Sequence, residues 1–388
     1  MTIAPSADHL VIGGGPAGST AALRLAAAGR RVLLLEKERQ AHDKVCGEFL
    51  SREAVEYLRN LGLAPRQLGA LPIRYLSISA GNRTAESSLP FQALSLSRRV
   101  LDQALLARAA DAGCEIVRGV AVQTIFAEGS GWIATLGNGQ TVCAQVVFLA
   151  TGKHDIRGFV RAPAKQPDLV GFKLHWRLAP AQIHVLRERM ELFLFPGGYG
   201  GLSLVECGLA NLCLVVRRSI LRRHGDWPHL LASILTANPH LRRFVQGAEP
   251  LWPRPLAISS IPYGYLASGE TALWRIGDQA AVIPSFTGDG MSIAFHSAAL
   301  AAQMFLAGNS ASEYSRTLRS QLDRPMRLAT RLSRAAVTGA GRHAALLALS
   351  LFPGAMPRIA AATRIPQSLL VLGEHPRAGP GSPAEQRA

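Results

Sequence analysis

The 388-residue chain is 48% hydrophobic and 18% charged, which excludes a disordered or fibrous protein and leaves apolar surface for a large core. Its length predicts two domains, or one large α/β unit with insertions. There are 42 Lys+Arg against 26 Asp+Glu, but arginine outnumbers lysine 37 to five. A GC-rich coding sequence produces that bias, so the +16 charge is not read as a sign of specific nucleic-acid binding. Five cysteines without CxxC spacing argue against a disulfide framework and a structural zinc site, and the histidines show no pairing with carboxylates that suggests metal. Residues 1–9 lack the basic flank and apolar stretch of a secretion signal, and no apolar run reaches the roughly 18 residues of a membrane span. The expectation is a cytoplasmic protein, peripheral to a membrane at most.

In chain order, residues 9–13 read as a buried strand, 16–28 as an Ala/Leu-rich helix closed by Gly29, and 31–36 as a second buried strand. This strand–helix–strand unit is expected to be parallel and right-handed. A helix is predicted over 99–113, then strands over 115–122, 124–127, 132–136 and 141–150, with Gly137-Asn138-Gly139 as a hairpin turn. Residues 169–216 read largely as β, 227–244 as one helix, and 250–262 as extended. A strand over 273–277 and an apolar helix over 291–306 follow, then Arg-rich helices to about 372 and a frayed tail over 373–388. The pattern predicts an α/β protein with a nucleotide-binding domain assembled from separated segments and a sheet domain inserted.

Gly13-Gly14-Gly15-Pro16-Ala17-Gly18 fits G-x-G-x-x-G between a strand and a helix. Gly13 permits the tight turn, Gly15 lets backbone approach a pyrophosphate, and Gly18 lets helix pack on strand; the helix start adds free N–H groups and positive dipole. Glu36, followed by Lys37, closes the next strand 18 residues after Gly18, where a carboxylate accepts ribose hydroxyls. NAD and FAD both use this fingerprint. A second segment points to FAD: a strand ending in Gly277-Asp278, a Pro/Gly loop, then Gly288-Asp289-Gly290-Met291 opening an apolar helix. Asp278 is placed to hold a ribityl hydroxyl. The helix start is placed to stabilise charge that builds on a reduced flavin ring.

These motifs, in order over roughly residues 8–330, resemble the FAD-dependent oxidoreductases of the p-hydroxybenzoate hydroxylase superfamily. Ser97-Arg98-Arg99-Val100-Leu101-Asp102 is similar to the family's helix start, whose arginine reaches FAD; Ala150-Thr151-Gly152 is similar to its strand end, and Val122 falls where a strand end lies against adenine. The resemblance implies a Rossmann-like domain of the glutathione-reductase type with non-covalent FAD. It also implies a β-rich substrate domain and a helical cover. The FAD domain is expected from 1–75, 91–160 and 263–310, the substrate domain from 76–90 and 161–262, and C-terminal helices over 311–372.

Lys44-Val45-Cys46-Gly47-Glu48 is similar to the Cys-Gly-Glu segment of the geranylgeranyl-reductase-like and polyketide-tailoring branch, where the loop lies over the flavin. The Cys-Gly pair lets backbone approach a planar ring, Cys46 is either chemically active or a packing residue, and Glu48 is a candidate hydrogen-bond partner of cofactor or substrate. Residues 152–158 lack the Asp-Gly pair that hydroxylases use in FAD and NAD(P)H handling. That leaves NAD(P)H as at most a transient reductant. The W-x-W-x-I-P signature of halogenases is absent, Trp176 standing alone. Residues 171–178 alternate, with Phe172, Leu174, Trp176 and Leu178 on one face and Lys173, His175 and Arg177 on the other. Lys173 or His175 is read either as a proton donor or as part of a solvated polar face.

Residues 316–388 hold 11 Arg against Asp323, Glu374 and Glu385, and Arg324, Arg327, Arg331 and Arg334 share one helical face. Two readings stay open: docking on an anionic membrane or acidic carrier protein, or a helix packed on the FAD domain with its charges solvated. The leading functional expectation is a monooxygenase that hydroxylates an apolar aromatic or polyketide-like molecule using reduced flavin and O2. The alternative is reduction of an isoprenoid C=C bond. A third reading, of another class, is a non-catalytic dinucleotide-binding or membrane-associated protein.

Overall fold

Strand β1 (Ser6–Ile12) leads through three glycines into helix α1 (Pro16–Ala27), and β2 (Val32–Glu36) returns parallel to it. After β3 (Phe49–Leu50) and α2 (Arg52–Asn60) comes the hairpin of β4 (Leu71–Ala80) and β5 (Arg83–Ser95). Helix α3 (Arg98–Asp111) and β6 (Glu115–Arg118) precede a meander of β7 (Val122–Glu128), β8 (Gly131–Leu136) and β9 (Thr141–Leu149). Next are β10 (Leu169–Arg177), α4 (Pro180–Leu186), β11 (Arg189–Phe195), β12 (Gly198–Leu204) and β13 (Ala210–Arg217). Helices α5 (Arg218–His224), α6 (Trp227–Ala237) and α7 (Pro239–Val245) follow. Then come short strands β14 (Glu249–Pro250), β15 (Leu256–Ile258), β16 (Tyr265–Leu266), β17 (Trp274–Arg275) and β18 (Ala281–Val282). The last helices are α8 (Gly290–Leu306), α9 (Ala311–Ala336), α10 (Gly339–Leu351) and α11 (Ala355–Ala362). This computed structural model describes residues 6–162, 164–268, 272–352 and 354–373, so the tail expected over 373–388 lies outside the described residues beyond Gly373. Among the described residues no helix is long and apolar enough to cross a membrane.

The first sheet runs β6-β2-β1-β9-β8-β7, with β17 added beside β9. β6, β2, β1, β9 and β17 are parallel, and the β7–β8–β9 meander is antiparallel. Both faces of β1 and β2 are covered, so their alternating side chains feed two cores. Val11 and Leu34 join Leu25, Leu105 and Phe295 of α1, α3 and α8, while Leu10, Ile12, Leu33 and Leu35 meet Ile125, Ala134 and Val142 of the meander. That two-sided burial is why these strands read as unbroken apolar runs. Helix α8 is apolar nearly all round and sits inside the first core.

The second sheet runs β14-β10-β13-β12-β11-β4-β5-β3, with β15 also beside β10. Its pairs are antiparallel except β11 with β4. The period-two alternation of β10 is present: Phe172, Leu174 and Trp176 pack with Leu212, Leu214, Leu230 and Phe244 beneath α6 and α7. The hairpin of β4 and β5 belongs whole to this sheet, from Leu71 to Ser95, and β3 joins it earlier in the chain by pairing Phe49 with Ser95.

Two expected elements are corrected. The single helix over 227–244 is two helices broken at Asn238, because Pro239 lacks an N–H and disfavours helical backbone in the residue before it. Asn238 is buried there, its Oδ1 accepting from Leu241 N–H at 2.9 Å and starting α7. The strand over 273–277 shortens to β17, because Gly277 turns to φ +60° and opens a 3₁₀ turn.

At Gly18 an added methyl would overlap the Gly13 carbonyl and lie 3.1 Å from Ala150 Cβ. Gly18→Ala is therefore expected to lose about 1–3 kcal/mol of stability, measured as a lower denaturant midpoint at unchanged slope.

Candidate functional site

A cavity of about 950 Å³ runs between the two sheets and under the C-terminal helices. That is at the upper end of the range for small-molecule sites. One end is built by the strand-to-helix turns of the first sheet. Gly13, Gly15, Pro16 and Ala17 line it, while Gly18 sits behind them as a packing contact. Helix α1 has no side-chain cap at Gly15, so its first N–H groups and positive dipole end face the cavity. An added Cβ on Gly15 would lie 3.4 Å from Arg98 Nη2. Arg98 is itself held by Asp102 at 2.8 and 2.9 Å, and Asp102 also accepts from Lys44 at 2.9 Å. Burial acts to lower the Arg98 pKa, but the Asp102 pair and the nearby Cys46 outweigh it and raise it further.

Glu36 lines the same end, and its carboxylate accepts from Gly14 N–H at 2.7 Å and Glu38 N–H at 3.0 Å. Each oxygen keeps a lone pair for a sugar hydroxyl. Lys37, Val122 and Thr151 line this end as well, Thr151 Oγ1 donating to the His154 carbonyl at 2.6 Å. Farther along, Gly277 and Asp278 come alongside, the Asp278 carboxylate 3.4 Å from Lys153. Arg161, buried and missed in the sequence, fixes this turn by donating to the carbonyls of Gly152, Lys153 and Asp278 and pairing with Asp155. Gly288, Gly290 and Met291 complete the wall at the start of α8, which also lacks a side-chain cap. Two uncapped helix starts facing one elongated cavity suit a ligand with an anionic middle and a ring that gains charge. The residues present fit FAD.

Midway, the loop carrying Cys46, Gly47 and Glu48 forms the wall. Cys46 is half-buried, its sulfur against Arg98 and 3.4 Å from Glu48 N. An added Cβ on Gly47 would meet nothing within 4 Å. Glu48, a candidate hydrogen-bond partner of cofactor or substrate, lines the cavity and is fully buried. Its oxygens accept from Arg98 N–H at 2.8 Å, from Lys173 Nζ, and pair with His175 Nε2 at 3.0 Å. Asp43 lies 3.5 Å from the same ammonium. The solvated-face reading of Lys173 and His175 is thereby corrected: both are buried, because the loop folds over the polar face of β10 and supplies their countercharges. Neither lines the cavity, so the expected proton donors stand behind the loop. Ligand atoms of Asp43, Glu48 and His175 lie within 4.8 Å of one another, yet Lys173 sits against both carboxylates as an internal cation.

The far end is an apolar chamber. Ile78, Leu192, Leu194 and Val215 floor it from the second sheet, and Leu332, Leu349, Met356 and Ile359 roof it from α9, α10 and α11. One wall is pinned by Tyr263, which donates to Ser285 Oγ at 2.8 Å, and by Ser333, which donates to Gln166 at 2.9 Å; Tyr199 links the two serines. Burial raises the pKa of both tyrosines, so they stay neutral. Outside, Arg324, Arg327, Arg331 and Arg334 are exposed while Leu318, Leu322 and Met326 of the same helix enter the core. The sequence missed three partnerships of this site: Glu48 with Lys173, Arg161 with the Asp278 carbonyl, and Arg364 with Asp289 at 2.8 Å. No local signal carries such pairs, whose members stand 75 to 125 positions apart.

Residues 6–158 match the family model described as an FAD binding domain. The chain is 28% identical over 332 residues to a menaquinone reductase of Mycolicibacterium smegmatis, covering 78% of this chain and 77% of that one. It is 27% identical over 333 residues to a digeranylgeranylglycerophospholipid reductase of Thermoplasma volcanium, covering 79% and 80%. A flavoprotein/dehydrogenase of Cytophaga hutchinsonii shares the fold at 19% identity, with a TM-score of 0.75 and 92% of both chains covered.

Gly15→Val would fill the approach between the α1 start and Arg98, and the purified variant is expected to lack flavin absorbance while keeping its far-UV dichroism. Lys173→Met leaves the buried Glu48 carboxylate without its cation, while Asp43 keeps Arg99 at 2.9 Å, an expected loss of about 3–5 kcal/mol in denaturant unfolding. Combining it with Glu48→Gln is expected to recover part of that loss.

Proposed function

We propose that this chain, which carries an FAD binding domain over residues 6–158 and resembles the FAD-dependent oxidoreductases of the p-hydroxybenzoate hydroxylase superfamily, saturates a carbon–carbon double bond in an apolar, isoprenoid-like molecule. The observation that carries this reading is the continuity of one cavity from the dinucleotide turns, past the Cys46–Glu48 loop, into the chamber beneath the C-terminal helices. A hydrocarbon chain entering that chamber gains about 0.8 kcal/mol for each methylene removed from water. The two relatives are both named for reductions, which supports the reductase alternative over the hydroxylation expected from the sequence.

FAD, when bound, supplies the hydride chemistry. The chain's own residues then have distinct tasks. The α1 start and the fixed Arg98 face the anionic diphosphate, and the α8 start offers positive dipole to developing negative charge. Helices α9, α10 and α11 keep water from the chamber. Cys46 and Gly47 line the wall between channel and chamber, and the reacting bond is proposed to lie against them. NAD(P)H is proposed as a transient electron donor.

The test is an anaerobic incubation of the FAD-loaded protein, reduced with dithionite or with NADPH, with a geranylgeranyl lipid. Mass spectrometry is expected to show a product carrying an added pair of hydrogens, with the flavin reoxidised in the absence of O2. A product formed only in air and carrying an added oxygen would overturn the reduction and favour hydroxylation. A protein that takes up no FAD would sink both and leave the non-catalytic reading.

A further inference from the structure

The polar wall of the chamber is a hydrogen-bonded chain with a direction. Gln166 precedes β10, Tyr199 lies on β12, Tyr263 precedes β16, Ser285 opens the turn before α8, and Ser333 lies on α9. Gln166, Tyr199, Tyr263 and Ser333 are buried, whereas Ser285 is exposed and lines the cavity. A hydroxyl has a single proton to donate. Ser333 donates to Gln166 Oε1 at 2.9 Å, so in the 3.3 Å contact between Tyr199 and Ser333 the tyrosine is the donor. Tyr263 donates to Ser285 Oγ at 2.8 Å. Burial raises the pKa of both tyrosines and keeps them protonated. The Ser285 proton is left over. Tyr199 Oη lies 3.5 Å away, beyond the roughly 3.0 Å reach of an ordinary O–H···O bond. Turning the Gln166 amide over reverses the Ser333 and Tyr199 bonds and again leaves that proton free.

Ser285 stands three residues before Gly288, where an added Cβ would lie 2.7 Å from Phe49, the residue after Glu48. The turn that carries the free donor thus abuts the Cys46–Glu48 loop, where channel meets chamber. The walls beyond are apolar, and apolar contact is not directional. It grips a chain of repeating isoprenoid units by area and does not choose among their double bonds. One oriented hydroxyl does.

We propose that Ser285 is a substrate-binding residue whose hydroxyl donates to an uncharged acceptor oxygen, a carbonyl or ether, carried by the apolar substrate. That bond fixes the register of the chain, so the double bond nearest the oxygen meets the loop. The inference rests on the apolar, isoprenoid-like substrate proposed above and needs no turnover to be tested.

The test is a binding titration followed by the absorbance of oxidised FAD in the loaded protein. The probes are farnesyl methyl ether and the hydrocarbon in which a methylene replaces its oxygen, both in the same detergent. Ser285→Ala is expected to bind the ether about three- to tenfold more weakly than the parent and the hydrocarbon as well as the parent does. Unchanged binding of both probes overturns the proposal. So does an equal loss for both, which would assign Ser285 to packing. A changed flavin spectrum in the substrate-free variant, or loss of its FAD, would assign the hydroxyl to the cofactor and likewise overturn it. A parent that binds neither probe fails the apolar-substrate reading itself, and the Ser285 assignment falls with it.

Discussion

The carboxylate of Glu48 is the point at which the molecule is tied together. Burying an ion completely costs several kcal/mol, and that cost is offset only when its lone pairs are satisfied. Here they are met by the first N–H of α3, by Lys173 and by His175. The loop after β2, the start of a helix in the first domain and a strand of the second sheet therefore converge on one side chain. Glu48 itself adopts φ +57°, a left-handed backbone that a non-glycine residue holds at a cost of about 1–3 kcal/mol. Glycine would relax this backbone but would leave His175 without its carboxylate partner and Lys173 with Asp43 alone, 3.5 Å away. Asn211 adds a second tie by donating to the Cys46 carbonyl at 3.1 Å.

The two halves of the cavity follow from that tie. On one side the parallel strands deliver glycine turns and open helix starts, the only way this backbone can come close to a charged diphosphate. On the other, the second sheet has already spent one apolar face beneath α6 and α7, so what it presents to the cavity is the remaining face. Near the first domain that face is polar and sealed by the loop. Toward the C-terminal helices it is apolar and roofed by them.

The dinucleotide turns were legible in the sequence because their requirements are local: a tight turn, a close approach, a short helix start, all within residues 13–18. The alternation of β10 was legible for the same reason, since a pleated strand sorts neighbours by parity. What parity does not reveal is the environment of the polar face, and charges that look solvated along one strand can be neutralised by a loop 125 positions away. The break at Asn238-Pro239 was written in the sequence, but apolar periodicity runs across it and masks it. Arg364 resembled the other basic residues of an Arg-rich tail. Only the three-dimensional path of α11 distinguishes it, since it turns inward while Arg324 and Arg331 stay outside.

Strand β9 pairs on one side with β1, made at the very beginning of the chain, and carries β17 near its end, where Trp274 lies beside Phe148. More than a hundred residues of the second sheet are threaded between those neighbours. As the chain leaves the ribosome, the first core therefore has its strands early but waits for β17 and the buried helix α8 to close it. Such distant pairings are slow to form and leave apolar edges uncovered in the meantime. In the nascent chain these apolar strand edges stand open until β17 and α8 arrive, and chaperone contact during synthesis would cover them.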